Sequence, residues 1–381
     1  MRFHWFLPTA SDGRSLTVGT RGTHGPEAAG GKPARVTADR FRPPTIRYLT
    51  QIAQAAEANG FDAILTPTGT WCEDAWLTCA ALAQETERLK FLVAFRPGLI
   101  SPTLAAQQAS TLQRLSGGRL LLNVVTGGER DEQARFGDHL VKADRYARTD
   151  EFLTVLRGAW SGEPLIFKGQ YYDVVNATVL APPDPLPRLY FGGSSSEAGP
   201  VAARHIDTYL TWGEPPDQVA QKIAWIRELA YQAGRQVRFG IRFHVVTRDT
   251  STEAWAAAER LLVGLDAAHV GRVQNMLAAS ESTGQARMNA LHKPFRDDSW
   301  ARSDLEIYPN VWSGVGLLRG GAGTALVGSH TEVADRIAEY ADLGIDEFIL
   351  SGFPHLEEAY RVGEGVLPEL RRRGHAPELH R

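Results

Sequence analysis

Short apolar runs that end in turn residues recur along this chain, and helix-period patterns fill most of the intervals between them. The runs are Phe3 to Leu7, Ala63 to Thr66, Phe91 to Phe95, Leu120 to Val125, Leu189 to Phe191, Thr208 to Thr211, Val237 to Val246 and Glu347 to Leu350. Each has the length and residue types of a buried strand. Among the helical intervals, Ile46 to Asn59 puts Tyr48, Leu49, Ile52, Ala55 and Ala56 on one face and closes at Gly60, and Leu104 to Leu115 closes at Gly117-Gly118. Strands that alternate with helices call for parallel βαβ units, and eight buried ones predict an α/β chain folded as a closed (β/α)8 TIM barrel.

Two segments break the alternation. Residues 11–45, rich in glycine and proline, read as a long loop after the first strand. Residues 250–343 exceed what one crossover helix needs: helical stretches at Thr252 to Leu265 and His269 to Ala279, a polar irregular part, then Gly316-Leu317-Leu318-Arg319-Gly320-Gly321-Ala322-Gly323-Thr324. Long loops on a barrel's catalytic face tend to be lids, so the expectation is one domain over 1–381 with two lid insertions.

Composition narrows the class. With 381 residues, 43% of them hydrophobic and 22% charged, the chain can bury a large core, and a net charge of -3 offers no footprint for nucleic acid or an anionic membrane. No apolar run approaches a membrane span and the N-terminus lacks a signal-peptide pattern, so a cytoplasmic protein is expected. Cys72 and Cys79 read as lying on one helix about two turns apart, a spacing that suits neither a disulfide nor a zinc site, and no metal is expected.

Barrel active sites form at the carboxyl ends of the strands. Here those ends bring Thr66, Arg96, Asn123 to Gly128, Gly192-Gly193-Ser194-Ser195-Ser196, Trp212, and Ser351 to His355 to one rim. The seventh run carries Arg242 and His244, two apart and hence on one face of an otherwise apolar strand. A guanidinium seldom enters such a strand without an anion to meet. One reading is an anion site; the other is an internal salt bridge with a histidine that caps a backbone carbonyl. Gly193 to Ser195, between a strand and the helical Glu197 to Arg204, offers backbone NH groups for phosphate or else an ordinary turn. Arg319 between glycines and His355 complete a set that attracts carboxylate, phosphate or sulfonate. No carboxylate pair, Ser-His-Asp set or metal cluster stands out, which points to a cofactor as carrier of the chemistry.

Over nearly its whole length the chain resembles the reduced-flavin-dependent alkanesulfonate monooxygenases of the bacterial-luciferase-like superfamily. The matching blocks include Trp5-Phe6-Leu7-Pro8-Thr9, Cys72-Glu73-Asp74-Ala75-Trp76, Leu189-Tyr190-Phe191-Gly192-Gly193-Ser194-Ser195, Tyr209 to Pro216, Arg238 to His244, Leu318 to Gly328 and Pro354-His355-Leu356-Glu357-Glu358. The resemblance implies a luciferase-like barrel and FMNH2, reduced FMN supplied as co-substrate by an NAD(P)H:FMN reductase. It also implies reaction with O2 to a flavin peroxide and C–S cleavage of an organosulfonate to sulfite and an aldehyde, in a homodimer or homotetramer.

Carried over position by position, Arg242, His244 and Arg319 would be catalytic and, with Trp212, Phe353 and His355, would bind substrate. Thr66, Cys72, Asn123, Thr126, Tyr146, Gly193, Ser194 and Ser195 would hold the flavin. The chain departs from the family's pattern in several places. Phe353 stands where close relatives carry a tyrosine, Ala10 where they carry a histidine, Thr70-Trp71 replaces a smaller polar pair, and residues 21–45 are longer than usual. Trp71 reads either as a surface or core residue or as a pocket edge that stacks on a sugar ring, which keeps a sulfosugar such as sulfoquinovose in play beside simple alkyl sulfonates. A non-sulfonate substrate, or flavin binding without catalysis, are the competing readings.

Overall fold

In a computed structural model, residues 1–16, 41–265, 267–292 and 302–376 are described. Nine strands of one sheet set the frame: β1 (Arg2–Phe6), β2 (Ala63–Thr66), β3 (Lys90–Phe95), β4 (Leu120–Val124), β5 (Leu189–Phe191), β6 (Thr208–Trp212), β7 (Arg238–Arg248), β8 (Ala325–Ser329) and β9 (Glu347–Ser351). All but β8 form the closed parallel ring β1-β2-β3-β4-β5-β6-β7-β9, with β9 returning to β1. The eight apolar runs of the sequence are therefore the eight barrel staves, with ends differing by a residue or two.

The long strand β7 explains how polar chemistry reaches an apolar wall. Its first half pairs with β6 up to Trp212↔Arg242, where β6 ends, and β8 takes over that edge from His244↔Ala325 to Arg248↔Ser329. On its other side β7 stays paired with β9 from Gly240↔Glu347 to His244↔Ser351. Arg242 and His244 thus sit at the seam between two successive neighbours, where the barrel opens. Strand β8 was hidden inside the expected 250–343 insertion; it and the helix His330–Asp342 form the last crossover, so the extra segment ends near Thr324.

Inside the ring, Phe6, Ala63, Leu65, Leu92, Leu121, Tyr190 and Ile349 make an apolar plug. Each large side chain so buried contributes ~1.5–3 kcal/mol. Below the plug, the buried Glu347 accepts hydrogen bonds from His4 Nε2 (2.9 Å), Tyr190 Oη (2.8 Å) and Arg188 (2.9 Å), closing the amino-terminal end with a satisfied charge cluster. Helices pack outside the ring on a second, larger core. Their starts follow local chemistry: Thr45, Asp74 and Ser101 each accept a backbone N–H as the N-cap of the helix that follows.

The Asp74 cap starts its helix at Ala75, so Cys72 lies in the preceding turn while Cys79 lies on the helix, correcting the expectation of one shared helix. Of the expected loop at 11–45, Asp12–Gly13 pairs with Phe41–Arg42, and 17–40 lie outside the described residues. Among the described residues no helix is long and apolar enough to cross a membrane.

Candidate active site

Two adjoining cavities open at the carboxyl ends of the strands. The first, about 210 Å³, lies between the end of β4 and the turn that follows it (Asn123 to Glu129), the Gly192 to Ser195 turn after β5, and Lys142, Arg145 and Tyr146. The second, about 180 Å³, is bounded by Phe6, Thr9, Trp71, His244, Arg319 and Ala322. Leu65, Asn123, Val125, Trp212 and Arg242 wall both, so the two form one cleft with an aromatic and cationic waist.

Arg242 is half-buried, its guanidinium carbon 4.0 Å from the centroid of the Phe6 ring, and its Nε is enclosed with no hydrogen-bond partner. Burial first and the nearby Arg319 second push its pKa down from 12.5 to about 9, and no carboxylate among the described residues offsets them. Physically this is a cation lacking its counter-ion, an arrangement that a bound anion would relieve. Arg319 lies over the Phe353 ring at 4.5 Å, and burial likewise pushes it down, to about 10, against the pull of Asp12. The glycine-rich loop that carries it is pinned: Gly321 N donates to Gln285 Oε1 (2.8 Å) and Gln274 Nε2 donates to the Gly316 carbonyl (2.8 Å).

His244 behaves differently from the arginine two residues before it. Its Nε2 lies 3.0 Å from the Ala322 carbonyl and its Nδ1 2.8 Å from Ser351 Oγ. A carbonyl only accepts, so Nε2 carries the hydrogen, and Ser351 donates to Nδ1. Burial, then Arg242 and Arg319, hold the ring well below the usual histidine pKa, so it is neutral. The expectation of a histidine open to substrate oxygens is thereby corrected: both nitrogens are engaged, and the ring stacks on Phe353 at 5.2 Å. The carbonyl-capping alternative describes His244, while the anion-site alternative describes Arg242.

His355 is buried beside Phe6 (5.8 Å between ring centroids) and Phe353 (5.3 Å). Its Nδ1 lies 2.9 Å from Asp12 Oδ1 and its backbone N donates to Asp12 Oδ2 at 2.8 Å. Asp12 also accepts from Gly13 N (2.7 Å) and Tyr48 Oη (2.7 Å), and Arg42 joins Tyr48 to Glu357. Burial opposes ionisation of Asp12, but His355 and Tyr48 together hold its carboxyl below the usual range. Sequence reading missed Asp12 and Tyr48, because one sat in a presumed loop and the other on a presumed core face; Asp12 lies 343 residues from its histidine.

The other expected residues divide. Asn123, Thr126, Tyr146, Gly193, Ser194 and Ser195 line the first cavity, and Trp212, Arg242, His244 and Arg319 line the second. Phe353 and His355 form the layer beneath the arginines rather than the wall. Thr66 and Cys72 reach neither cavity: Thr66 is fully buried and receives Cys79 Sγ at 3.1 Å, and Cys72 Sγ points to the Gly69 carbonyl at 3.6 Å. Trp71, in contrast, lines the second cavity.

A family model described as luciferase-like monooxygenase matches residues 1–347. Among solved structures, a riboflavin lyase with modified FMN and riboflavin superposes with a TM-score of 0.78 at 21% identity, covering 99% of this chain and 92% of the other. A long-chain alkane monooxygenase gives 0.75 at 20% identity, covering 100% and 93%. An EDTA monooxygenase from Chelativorans sp. BNC1 gives 0.72 at 20%, covering 99% and 95%. At such identities these likenesses speak for the fold.

Proposed function

The chain belongs to the luciferase-like monooxygenase family, and from that premise we propose that it cleaves the C–S bond of an organosulfonate with reduced FMN and O2, releasing sulfite and an aldehyde. The observation that carries this reading is Arg242: a half-buried guanidinium at the waist of the cleft, with Arg319 near it and no carboxylate against it among the described residues. A sulfonate matches that deficit, and each charge-assisted hydrogen bond to it contributes ~1.5–3 kcal/mol.

The residues around the first cavity fit FMN. Ser195 is buried at the cavity wall, its side chain beside Tyr146 and Glu197. At Gly193 the backbone is bare, and a Cβ there would stand 2.7 Å from Ala198 Cβ and 3.3 Å from Tyr146 Oη. Gly193, Ser194 and Ser195 would hold the phosphate with Lys142 and Tyr146, and Asn123 and Thr126 would face the rest of the cofactor. When bound, reduced FMN supplies two electrons and activates dioxygen; a separate NAD(P)H:FMN reductase is the proposed source.

The protein's own contribution is then positional. Arg242 and Arg319 grip the headgroup, Phe6 and Phe353 give them a water-excluding apolar bed, and neutral His244 ties the Ala322 segment to β7 and β9. Trp71 supports a second reading, a sulfosugar, since an indole in the cavity wall suits a pyranose face. The test supplies enzymatically reduced FMN with a panel from methanesulfonate through longer alkyl sulfonates to sulfoquinovose and measures sulfite. Absence of sulfite across the panel, with FMN bound, sinks the desulfonation reading.

A further inference from the structure

Asp12 carries more hydrogen bonds than a loop carboxylate needs. Oδ1 faces Gly13 N and His355 Nδ1, Oδ2 faces Tyr48 Oη and His355 N, and all four lie at 2.7–2.9 Å. An ionised carboxylate only accepts, so the hydrogen of the His355 ring must be on Nδ1. The remaining nitrogen, Nε2, is buried with no hydrogen-bond partner. A buried nitrogen left that way calls for a reason. Its place supplies one: the imidazole neighbours both Phe6 and Phe353, the two rings over which Arg242 and Arg319 lie. Its counterpart, His244, has both nitrogens committed to Ala322 and Ser351, and position 353 has no hydroxyl.

We propose that Asp12 is a positioning residue of this site, holding His355 in the tautomer with hydrogen on Nδ1 so that Nε2 presents the proton-accepting lone pair beneath the paired arginines. The assignment rests on the desulfonation reading only for its turnover arm. Tyr48 and Arg42 hold the carboxylate from the other side and fix its rotation, Tyr48 by donating to Oδ2 and Arg42 by donating to Tyr48 at 3.0 Å. The groups that face the pair are Tyr48 and Arg42 on the Asp12 side and His244 and Arg319 on the cavity side.

Asp12→Asn tests the idea because an amide cannot reproduce four acceptors. Whichever way it is set, its NH2 faces either Gly13 N–H and His355 Nδ1 or Tyr48 Oη and His355 N–H, and one backbone N–H is orphaned. Nitrogen-15 NMR of the imidazoles in the full chain without flavin, with His355→Gln for assignment, should show hydrogen on Nδ1 of His355 in the wild type and a shift toward Nε2 in Asp12→Asn. Sulfite turnover in Asp12→Asn should fall by about 100-fold or more in kcat with little change in KM, the pattern of a lost base tautomer. Tyr48→Phe keeps the carboxylate and both of its bonds to His355, and should keep the Nδ1 tautomer.

A wild-type His355 with hydrogen on Nε2 overturns the assignment. So does an Asp12→Asn protein of altered tautomer whose kcat stays within about threefold, or one whose kcat falls while the tautomer is unchanged, which would mark a packing role. If the wild type makes no sulfite at all, the functional reading falls separately, and the tautomer measurement still decides the Asp12–His355 pair.

Discussion

The guanidinium of Arg242 lies 4.0 Å from the centroid of Phe6, so the cation rests on an aromatic face instead of a carboxylate. A ring quadrupole returns only ~0.5–2 kcal/mol to a desolvated cation, far less than burial removes. Strand β7 therefore holds an arginine for which no carboxylate among the described residues serves as partner. Arg319 lies over Phe353 at 4.5 Å, and there Asp12 still pulls on it.

Replacing Arg242 should separate stability from function. Arg242→Met removes a cation with no carboxylate against it among the described residues and keeps a long apolar stem over Phe6, so the thermal midpoint should hold or rise. Sulfite turnover should fall by about 100-fold, equivalent to roughly 2.7 kcal/mol of lost interaction. A parallel fall in thermal midpoint of several degrees would show that Arg242 is a structural cation with a partner inside the fold.

His244 predicts a pH signature. Its folded pKa lies well below the 6.5 of an exposed histidine, because burial and then the two arginines disfavour a charged ring. Between the folded and unfolded values the unfolded chain binds the extra proton, so stability rises with pH across that window. The contribution is fully present above about pH 6.5 and is lost as pH falls toward the folded pKa. Urea midpoints at pH 7.5 and pH 5 should therefore differ more in the wild type than in His244→Gln. Equal differences would mean that the ring is protonated in the folded protein.

The barrel floor gives a stability prediction that leaves the site alone. Burial alone would raise the Glu347 pKa, yet His4, with Arg188 and Tyr190, holds it far below its usual 4.5. Glu347→Gln breaks a buried charge cluster and should cost roughly 3–5 kcal/mol, with FMN affinity of the folded fraction unchanged. Because the folded pKa is depressed, the wild-type advantage exists above about pH 4.5 and disappears as pH falls below it. A variant as stable as the wild type at pH 7 would show that the cluster's attraction only balances its desolvation.

Gly193→Ala probes the cofactor cradle. Its new methyl would stand 2.7 Å from Ala198 Cβ, against the helix that follows the turn, and 3.3 Å from the Tyr146 hydroxyl. The turn must shift by some tenths of an ångström, enough to misalign backbone donors for a phosphate. Fluorescence titration should give an FMN dissociation constant about tenfold or more above wild type, in a protein that still folds. Unchanged FMN affinity would move the phosphate away from this turn.

Most of the frame was legible because a buried stave announces itself locally, as a short apolar run between turn residues, and all eight could be read that way. Strand β8 was not, since Ala325 to Ser329 follows a glycine-rich loop and replaces β6 along half of β7, a substitution of neighbours with no local signature. At the site, Arg242 was legible as a charge out of place on an apolar strand. Asp12 was not, since its importance comes from four donors, two of them on a residue at the other end of the chain. Cys72 was placed by resemblance and Thr66 as the end of a strand, and the pairing of Thr66 with Cys79 shows why strand-end position alone does not expose a side chain.

Trp71 decides between a chain-like and a ring-like substrate. It lines the cavity that also holds Arg242 and Arg319, and its indole Nε1 is buried against Gly69 with no hydrogen-bond partner, so what it would offer a ring-shaped substrate is its face. If the substrate is a sulfosugar, Trp71→Ala removes stacking worth ~0.5–1.5 kcal/mol, and KM for sulfoquinovose should rise by up to about tenfold while methanesulfonate turnover changes little. If the substrate is a linear alkyl sulfonate, the enlarged cavity should lower KM for longer chains and leave sulfoquinovose unconverted in both proteins. A loss shared equally by every sulfonate would place Trp71 in support of the Gly69 turn, where a Cβ would meet both the indole nitrogen and Glu132, rather than in substrate selection.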